Sequence, residues 1–191
     1  MNRADKATTP RVDLVIPVLN EIKALGPCVD RIQKYFETFP YPARIVIAEN
    51  GSTDGTIELA KSLAQEHDNV DCVILGQRGR GRALRRAWTE SDADIVAYTD
   101  VDLSTELEAL EKLCRAIHED GYGLATGSRL LKDSRTTRCL QREVISRSYT
   151  LFIKCVLFTR FSDAQCGFKA VSRKVVNEII PCVRDEAWFF D

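Results

Sequence analysis

Two aspartates, Asp100 and Asp102, stand two residues apart directly after the short apolar run Asp94–Tyr98. In an extended segment such a pair points to one side, so both carboxylates can face a single divalent cation. Hard oxygen donors suit Mg2+ or Mn2+, and an ion held there would bridge the oxygens of a diphosphate and neutralise a leaving group. Two surface acids near a helix start are the plainer alternative. Upstream, Arg78, Arg80, Arg82, Arg85 and Arg86 fall within nine residues, and glycines separate the first three. Glycine lets the backbone approach an anion, and a helix N-terminus favours negative charge. Gly79, Arg80 and Arg82 therefore make a candidate diphosphate cradle, with a solvated basic helix face as the competing account.

Two further polar clusters end apolar runs. Pro17-Val18-Leu19-Asn20-Glu21 closes the first, where Asn20 as a helix cap is an equally good explanation. Glu49-Asn50-Gly51-Ser52-Thr53-Asp54-Gly55-Thr56 closes the second. Ser52, Thr53 and Asp54 suit a tight turn and a helix start. Glu49 and Asn50 are candidates for hydrogen bonds to a base or ribose.

These groups need a frame, and the sequence describes one. Val12–Val18 is an almost unbroken apolar strand, as in a parallel sheet buried on both faces. Leu25, Val29, Ile32, Phe36 and Phe39 then fall at helical spacing. Strands are predicted over Arg44–Ala48, Val70–Leu75 and Asp94–Tyr98. Helices are predicted over Asp54–Glu66, with Ile57, Ala60, Leu63 and Ala64 inward, over Gly81–Glu90, and over Thr105–His118. Thr105 and Glu108 fit a capping box for the last, with Leu107, Leu110, Cys114 and Ile117 as its apolar stripe. This alternation predicts a doubly wound α/β domain whose ligands bind beyond the carboxyl ends of the strands.

The chain has 191 residues, 45% hydrophobic and 29% charged, with a net charge of -1. That balance suits one globular domain and excludes a general nucleic-acid binder. Residues 1–126 hold 15 Lys/Arg against 21 Asp/Glu, whereas residues 127–174 hold 11 against 3. The later basic region suggests a phosphate or an anionic membrane surface as partner, or a solvated basic face. The seven cysteines lack C-x-x-C spacing, so a zinc site is not expected. They read as reduced thiols of a cytoplasmic protein. The polar first ten residues are expected as a disordered tail. No run approaches the ~18 apolar residues of a bilayer span. Val144–Phe161 mixes apolar residues at helical spacing with Arg147, Lys154 and Arg160, either a core helix or one resting on a membrane surface.

Taken in order, the motifs P-V-L-N-E, G-S-T-D-G-T, G-R-G-R-A-L, D-V-D-L-S, Gly127-Ser128-Arg129 and D-A-Q-C-G-F-K resemble the family 2 glycosyltransferases of the GT-A fold. The resemblance runs from Val12 to Asp191. It is greatest to the polyprenyl-phosphate (dolichyl-phosphate) sugar synthases. D-x-Q-C-G-F-K and the terminal Trp188-Phe189-Phe190-Asp191 are similar to the glucosyl branch. Arg142-Glu143-Val144-Ile145-Ser146 is similar to the mannosyl branch. The resemblance implies a single GT-A domain over residues 11–191, with a nucleotide-binding half at about 11–104 and an acceptor half at about 105–191.

It also implies roles. Pro17, Leu19 and Glu21 would line the nucleotide pocket and Asn50 would face the base. Asp100 would contact nucleotide and metal, and Asp102 would be the main metal ligand. Arg129, Arg142, Ser146 and Arg147 would bind an acceptor phosphate, with Asp163 and Gln165 near the transferred sugar. The implied reaction is inverting transfer of glucose or mannose from UDP-glucose or GDP-mannose to a polyprenyl or dolichyl phosphate, at the cytoplasmic face of a membrane. Two alternatives stand beside it. One is transfer to a saccharide hydroxyl in cell-envelope glycan synthesis, with Asp163 as base; the other is a catalytically silent nucleotide-binding fragment. The sequence departs from the family pattern at Glu49-Asn50, where two aspartates are usual, and at Ser104, where some mannosyl synthases have a metal-binding glutamine. Relatives continue past the position of Asp191, so a C-terminally truncated domain is expected.

Overall fold

The computed structural model describes residues 9–128 and 166–185. Strand β1 (Val12–Val18) leads to helix α1 (Ile22–Phe36), β2 (Ala43–Asn50), α2 (Thr56–Glu66), β3 (Val70–Leu75), α3 (Arg80–Glu90), β4 (Ile95–Tyr98), α4 (Ala109–His118) and the short β5 (Leu124–Thr126). Strand β6 (Lys169–Ser172), helix α5 (Arg173–Ile179) and a 3-10 turn (Ile180–Cys182) follow. The six strands form one sheet in the order β3-β2-β1-β4-β6-β5. β1 pairs in parallel with β2 and β4, and β2 with β3, while β6 runs antiparallel to β4 and β5. The predicted doubly wound α/β frame is therefore present.

Side-chain alternation along the strands divides the core into two layers. Leu14, Ile16, Ile45 and Ile47 face α1, α2 and α4, and meet Leu25, Ile32, Ala60 and Leu110. Val15, Val46, Val96 and Tyr98 face α3 and α5, and meet Leu84, Trp88 and Val176. Asp13 interrupts the apolar run of β1 and is buried. Arg44 binds it through two nitrogens, at 3.1 and 2.7 Å, and the Ser91 hydroxyl donates to it at 2.6 Å. The charge is thus neutralised at the amino end of the sheet, as a buried carboxylate requires.

Several predicted boundaries shift for identifiable reasons. The capping box of Thr105 and Glu108 is absent: α4 starts at Ala109, and Glu108 makes no side-chain cap. Leu103 and Leu107 are both buried, and the chain turns between them through i to i+3 bonds from Ala109 to Glu106 and Leu110 to Leu107 before the helix begins. β4 starts one residue late because Asp94 accepts the Arg11 N–H on its carboxylate and the Arg173 N–H on its carbonyl. α2 starts at Thr56 because Gly55 takes a left-handed φ of 95°, a turn that glycine permits. Of the residues predicted inward on α2, Ala60 and Leu63 are buried and Ile57 and Ala64 half-buried.

Candidate active site

β1 is central, yet its pairing with β4 ends at Val15↔Tyr98 while its pairing with β2 continues to Val18↔Glu49. Pro17 has no N–H to offer a neighbour, so the ladder opens there without stranding a donor. The chain leaves β1 toward β2 on one side and β4 on the other, which makes this edge the switch point of the sheet. A cavity of about 540 Å³ lies there, lined by Pro17, Leu19, Glu21, Ala24, Asn50, Arg78, Gly79, Arg80, Asp100, Val101 and Asp102. It draws on the carboxyl ends of β1, β2 and β4 and on the loop from β3 to α3. Of the predicted donor and metal residues in the described part, all but Arg82 and Glu49 border it.

Two loops wall the cavity by bonding to each other. Asn20 holds a left-handed φ of 57°, and its N–H donates to Ser52 Oγ at 2.9 Å. Its Oδ1 accepts from Thr53 N at 2.8 Å. Glu21 N–H donates to Thr56 Oγ1 at 2.9 Å and Ile22 N–H to Asp54 Oδ2 at 3.3 Å. α1 has no side-chain cap of its own at Glu21; the following loop of β2 caps it from across the sheet. The G-S-T-D-G-T motif thus holds the wall together. Asp54 is exposed, and its carboxyl lies below its ordinary value because the Thr56 hydroxyl donates to it, with the Thr56 and Ile22 N–H groups adding to the effect.

Glu49 does not reach the cavity. It is fully buried, and its Oε1 accepts the Ser52 N–H. Asn50 borders the cavity, with its amide bonded to Val18 O at 2.9 Å and Gly79 N at 3.4 Å. The five-arginine cradle also divides. Arg78 and Arg80 line the cavity, whereas Arg82 turns back to Gln77 Oε1 and Arg78 O at 2.9 and 3.2 Å. Arg85 binds the carbonyls of Val183 and Asp185, and Arg86 pairs with Glu90.

The aspartates meet the cavity by a different geometry from the predicted extended one. Leu103 N–H donates to Asp100 O at 3.0 Å, which closes a turn. Leu103 takes a φ of 47°, a conformation that costs a side-chain-bearing residue about 1–2 kcal/mol. Its burial holds it there. Both carboxylates still border the one cavity. Asp102 Oδ1 accepts from Ser104 N at 3.0 Å, and Asp100 Oδ1 accepts from Arg80 at 2.6 Å. The Arg80 guanidinium also lies 5.3 Å above the buried Tyr98 ring. Among the described residues no group of three or more His, Cys, Asp or Glu is gathered for a metal. Two carboxylates at the mouth of a cavity fit a cation of the Mg2+ or Mn2+ kind, which is held by one or two carboxylates and leaves its other positions to phosphate and water.

Gly167, read in the sequence only as part of the D-A-Q-C-G-F-K motif, packs against a site residue. A Cβ there would lie 2.2 Å from Asp100 Oδ2. Arg78, Ala24 and Val101 are the cavity residues added to the predicted set; of these only Arg78 had a signal, as the first of the arginine run. Arg129, Arg142, Ser146, Arg147, Asp163 and Gln165, the segment Val144–Phe161 and the terminal Trp188–Asp191 lie outside the described residues. The five described cysteines, Cys28, Cys72, Cys114, Cys166 and Cys182, are free thiols. A second cavity of about 240 Å³ sits at the amino end of the sheet. There Arg11, Arg44, Asp13 and Asp92 pair with one another.

A mostly parallel sheet with one antiparallel strand, β6, its two strand-end loops tied together and two aspartates at the switch point, makes an α/β domain whose solved neighbours are glycosyltransferases of the GT-A fold. A mannosyltransferase of Pyrobaculum calidifontis, solved with GDP-Man and Mn2+, matches with a TM-score of 0.62 over 91% of this chain and 47% of that one, at 21% identity. A glucosyl-3-phosphoglycerate synthase of Mycobacterium tuberculosis, solved with Mn2+, UDP and phosphoglyceric acid, matches with a TM-score of 0.55 over 87% of this chain and 57% of that one, also at 21% identity. Residues 13–180 match the family described as Glycosyl transferase family 2, and the chain belongs to that family. Glycosyltransferase AglD of Haloferax volcanii is 36% identical over 191 residues, 98% of this chain and 31% of the relative. The human dolichyl-phosphate beta-glucosyltransferase is 26% identical over 200 residues, 96% of this chain and 61% of the relative. The chain spans 31% and 61% of the length of these two curated relatives.

Proposed function

We propose that this protein is an inverting hexosyltransferase that moves glucose or mannose from a nucleoside-diphosphate sugar to a polyprenyl or dolichyl phosphate. The observation that carries this reading is the convergence of Asp100, Asp102, Arg78 and Arg80 on one cavity at the carboxyl edge of the sheet. Pro17, Leu19, Glu21 and Asn50 would border the nucleoside. Arg78 and Arg80 would face the diphosphate. Mg2+ or Mn2+ held by Asp100 and Asp102 would neutralise charge on the departing diphosphate. The acceptor would attack the anomeric carbon directly. A phosphate monoester is largely ionised near neutral pH, so it needs positioning and charge screening more than a general base. Arg129, Arg142, Ser146 and Arg147 are assigned that task, with Asp163 and Gln165 beside the sugar. The names of AglD and the dolichyl-phosphate glucosyltransferases among the relatives support the acceptor class. Among the described residues no helix is long and apolar enough to cross a membrane, and the proposed contact with the cytoplasmic membrane face is peripheral.

The test is calorimetric titration with UDP-glucose and with GDP-mannose, each with Mn2+, with Mg2+ and with EDTA, followed by transfer to polyprenyl phosphate. Metal-dependent binding of one donor and lipid-linked product are expected. Asp102→Ala should lower turnover at least about 100-fold, the scale of one lost electrostatic contact to a leaving group, while leaving the circular dichroism unchanged. Full activity in that variant would end the metal assignment. Transfer to free sugars with none to the lipid phosphate would replace the acceptor by a saccharide hydroxyl.

A further inference from the structure

Glycines are retained for one of two reasons: a backbone angle that other residues avoid, or the absence of a side chain. Gly167 belongs to the second class. The described glycines with positive φ are Gly51, Gly55, Gly79 and Gly121, and Gly167 is not among them. Its backbone would accept an alanine. Its surroundings would not: the added Cβ would lie 2.2 Å from Asp100 Oδ2, 3.0 Å from Cγ and 3.4 Å from Oδ1.

One partner must then move, and the packing decides which. Cys166 and Phe168, on either side, are fully buried in the core layer that holds Leu110 and Cys114. Phe168 O accepts the Gly127 N–H at 2.8 Å, and from Lys169 onward the segment is paired on both sides, to β4 and to β5. On the far side of this segment, a Cβ on Gly127 would come within 3.2 Å of Cys166 Sγ and 3.4 Å of Phe168 O, so there is no slack behind it. The backbone at 167 is pinned. The Asp100 carboxylate is the far end of a side chain that is 40% exposed, borders the cavity and pairs with Arg80 at 2.6 Å, so it is the partner that gives way.

We propose that Gly167 is a positioning residue. It leaves room for the Asp100 carboxylate to sit with Oδ1 on Arg80 and Oδ2 close beside the Gly167 backbone, and that seat holds Asp100 at the cavity for metal-dependent donor binding. The donor part rests on the function proposed above; the coupling of 167 to 100 does not. Any side chain at 167 expels the carboxylate from its seat and separates it from Arg80.

The test pairs a stability cycle with binding. Gly167→Ala is expected to lower the urea midpoint when Asp100 is present and to leave it unchanged or raise it in Asp100→Ala. By calorimetry with Mn2+ and UDP-glucose, and with Mn2+ and GDP-mannose, Gly167→Ala should bind the preferred donor at least about tenfold more weakly, a shift of ~1.4 kcal/mol. In EDTA it should match wild type, which a general loss of structure would not do. Gly76→Ala has open space around its Cβ and serves as the control. If Gly167→Ala alone does not fold, recovery of folding in the double variant with Asp100→Ala supports the proposal. Equal effects of Gly167→Ala in both backgrounds, or wild-type metal-dependent binding, would overturn it. Wild type that binds no donor, with the stability coupling intact, would remove the donor function and leave the seat.

Discussion

Thr56→Val separates the hydroxyl of a fully buried threonine from its shape. In the native protein Thr56 Oγ1 accepts the Glu21 N–H at 2.9 Å and donates to Asp54 Oδ1. Asp54 is exposed, so water replaces its lost donor at little net change. The Glu21 amide sits at the half-buried start of α1 and, among the described residues, has no other acceptor. Leaving such a donor unmade costs about 1–3 kcal/mol, and the new methyl returns up to about 0.8 kcal/mol through burial. The expected net loss is about 1–2 kcal/mol, a fall in Tm of roughly 2–8 °C for a domain of this size. Thr56→Ser keeps both bonds and gives up one methyl, so its stability loss is similar in size and different in kind. Because Glu21 and Leu19 wall the cavity, the valine variant should bind donor more weakly while the serine variant binds like wild type. Differential scanning calorimetry and donor titration on the pair measure both effects. Equal donor affinity in the two variants would refute the idea that the loop clamp shapes the cavity.

Three other outcomes are expected. The Asp54 carboxyl is held below its ordinary value of 3.8; a depressed carboxylate contributes stability above its unfolded pKa and loses it as pH falls through the folded one. Asp54→Asn should therefore narrow the difference in urea midpoint between about pH 5 and about pH 3. Arg44→Met leaves the buried Asp13 with only the Ser91 hydroxyl and should cost about 3–5 kcal/mol. Asp13→Ala leaves Arg44 beside Asp71 and Asp92, at 3.6 and 3.5 Å, and should cost about 1–3 kcal/mol; urea denaturation that ranked them the other way would refute the asymmetry. Burial pushes the Cys28 and Cys114 thiols up to about 12, so mass spectrometry after brief alkylation should find the exposed Cys182 modified before either.

The parts of this molecule that read clearly in the sequence are those specified locally. Val12–Val18 carries its strand in its own apolar run, and Pro17, Leu19, Asn50 and Asp100 stand at strand ends, where a parallel sheet collects its ligand groups. What the sequence left unread depends on neighbours far along the chain. Ser52, Thr53 and Asp54 suit the start of their own helix, yet Asp54, together with Thr56, accepts N–H groups at the start of α1 across the sheet. Arg82 shares its spacing with Arg80, but a helical rotation of two residues turns it away from the cavity. Gly167 reveals its role only beside Asp100, 67 positions earlier. Glu49 is polar and so looks available in the sequence, whereas β2 is buried on both faces from Ile45 to Asn50 and the Ser52 N–H binds its carboxylate.

The antiparallel strand β6, set between β4 and β5, also bears on the order in which the sheet is assembled. Strands β1 to β4 and the loops between them are complete once residue 102 has been made. Tyr98, however, pairs with Lys169, 71 positions later, and the ordering entropy of so long a closure is lost before any contact compensates for it. During synthesis the nascent chain therefore carries both aspartates before the segment that packs beside Asp100 has been made. β6 is the late-arriving strand of the sheet, and with it comes the Gly167 backbone beside Asp100.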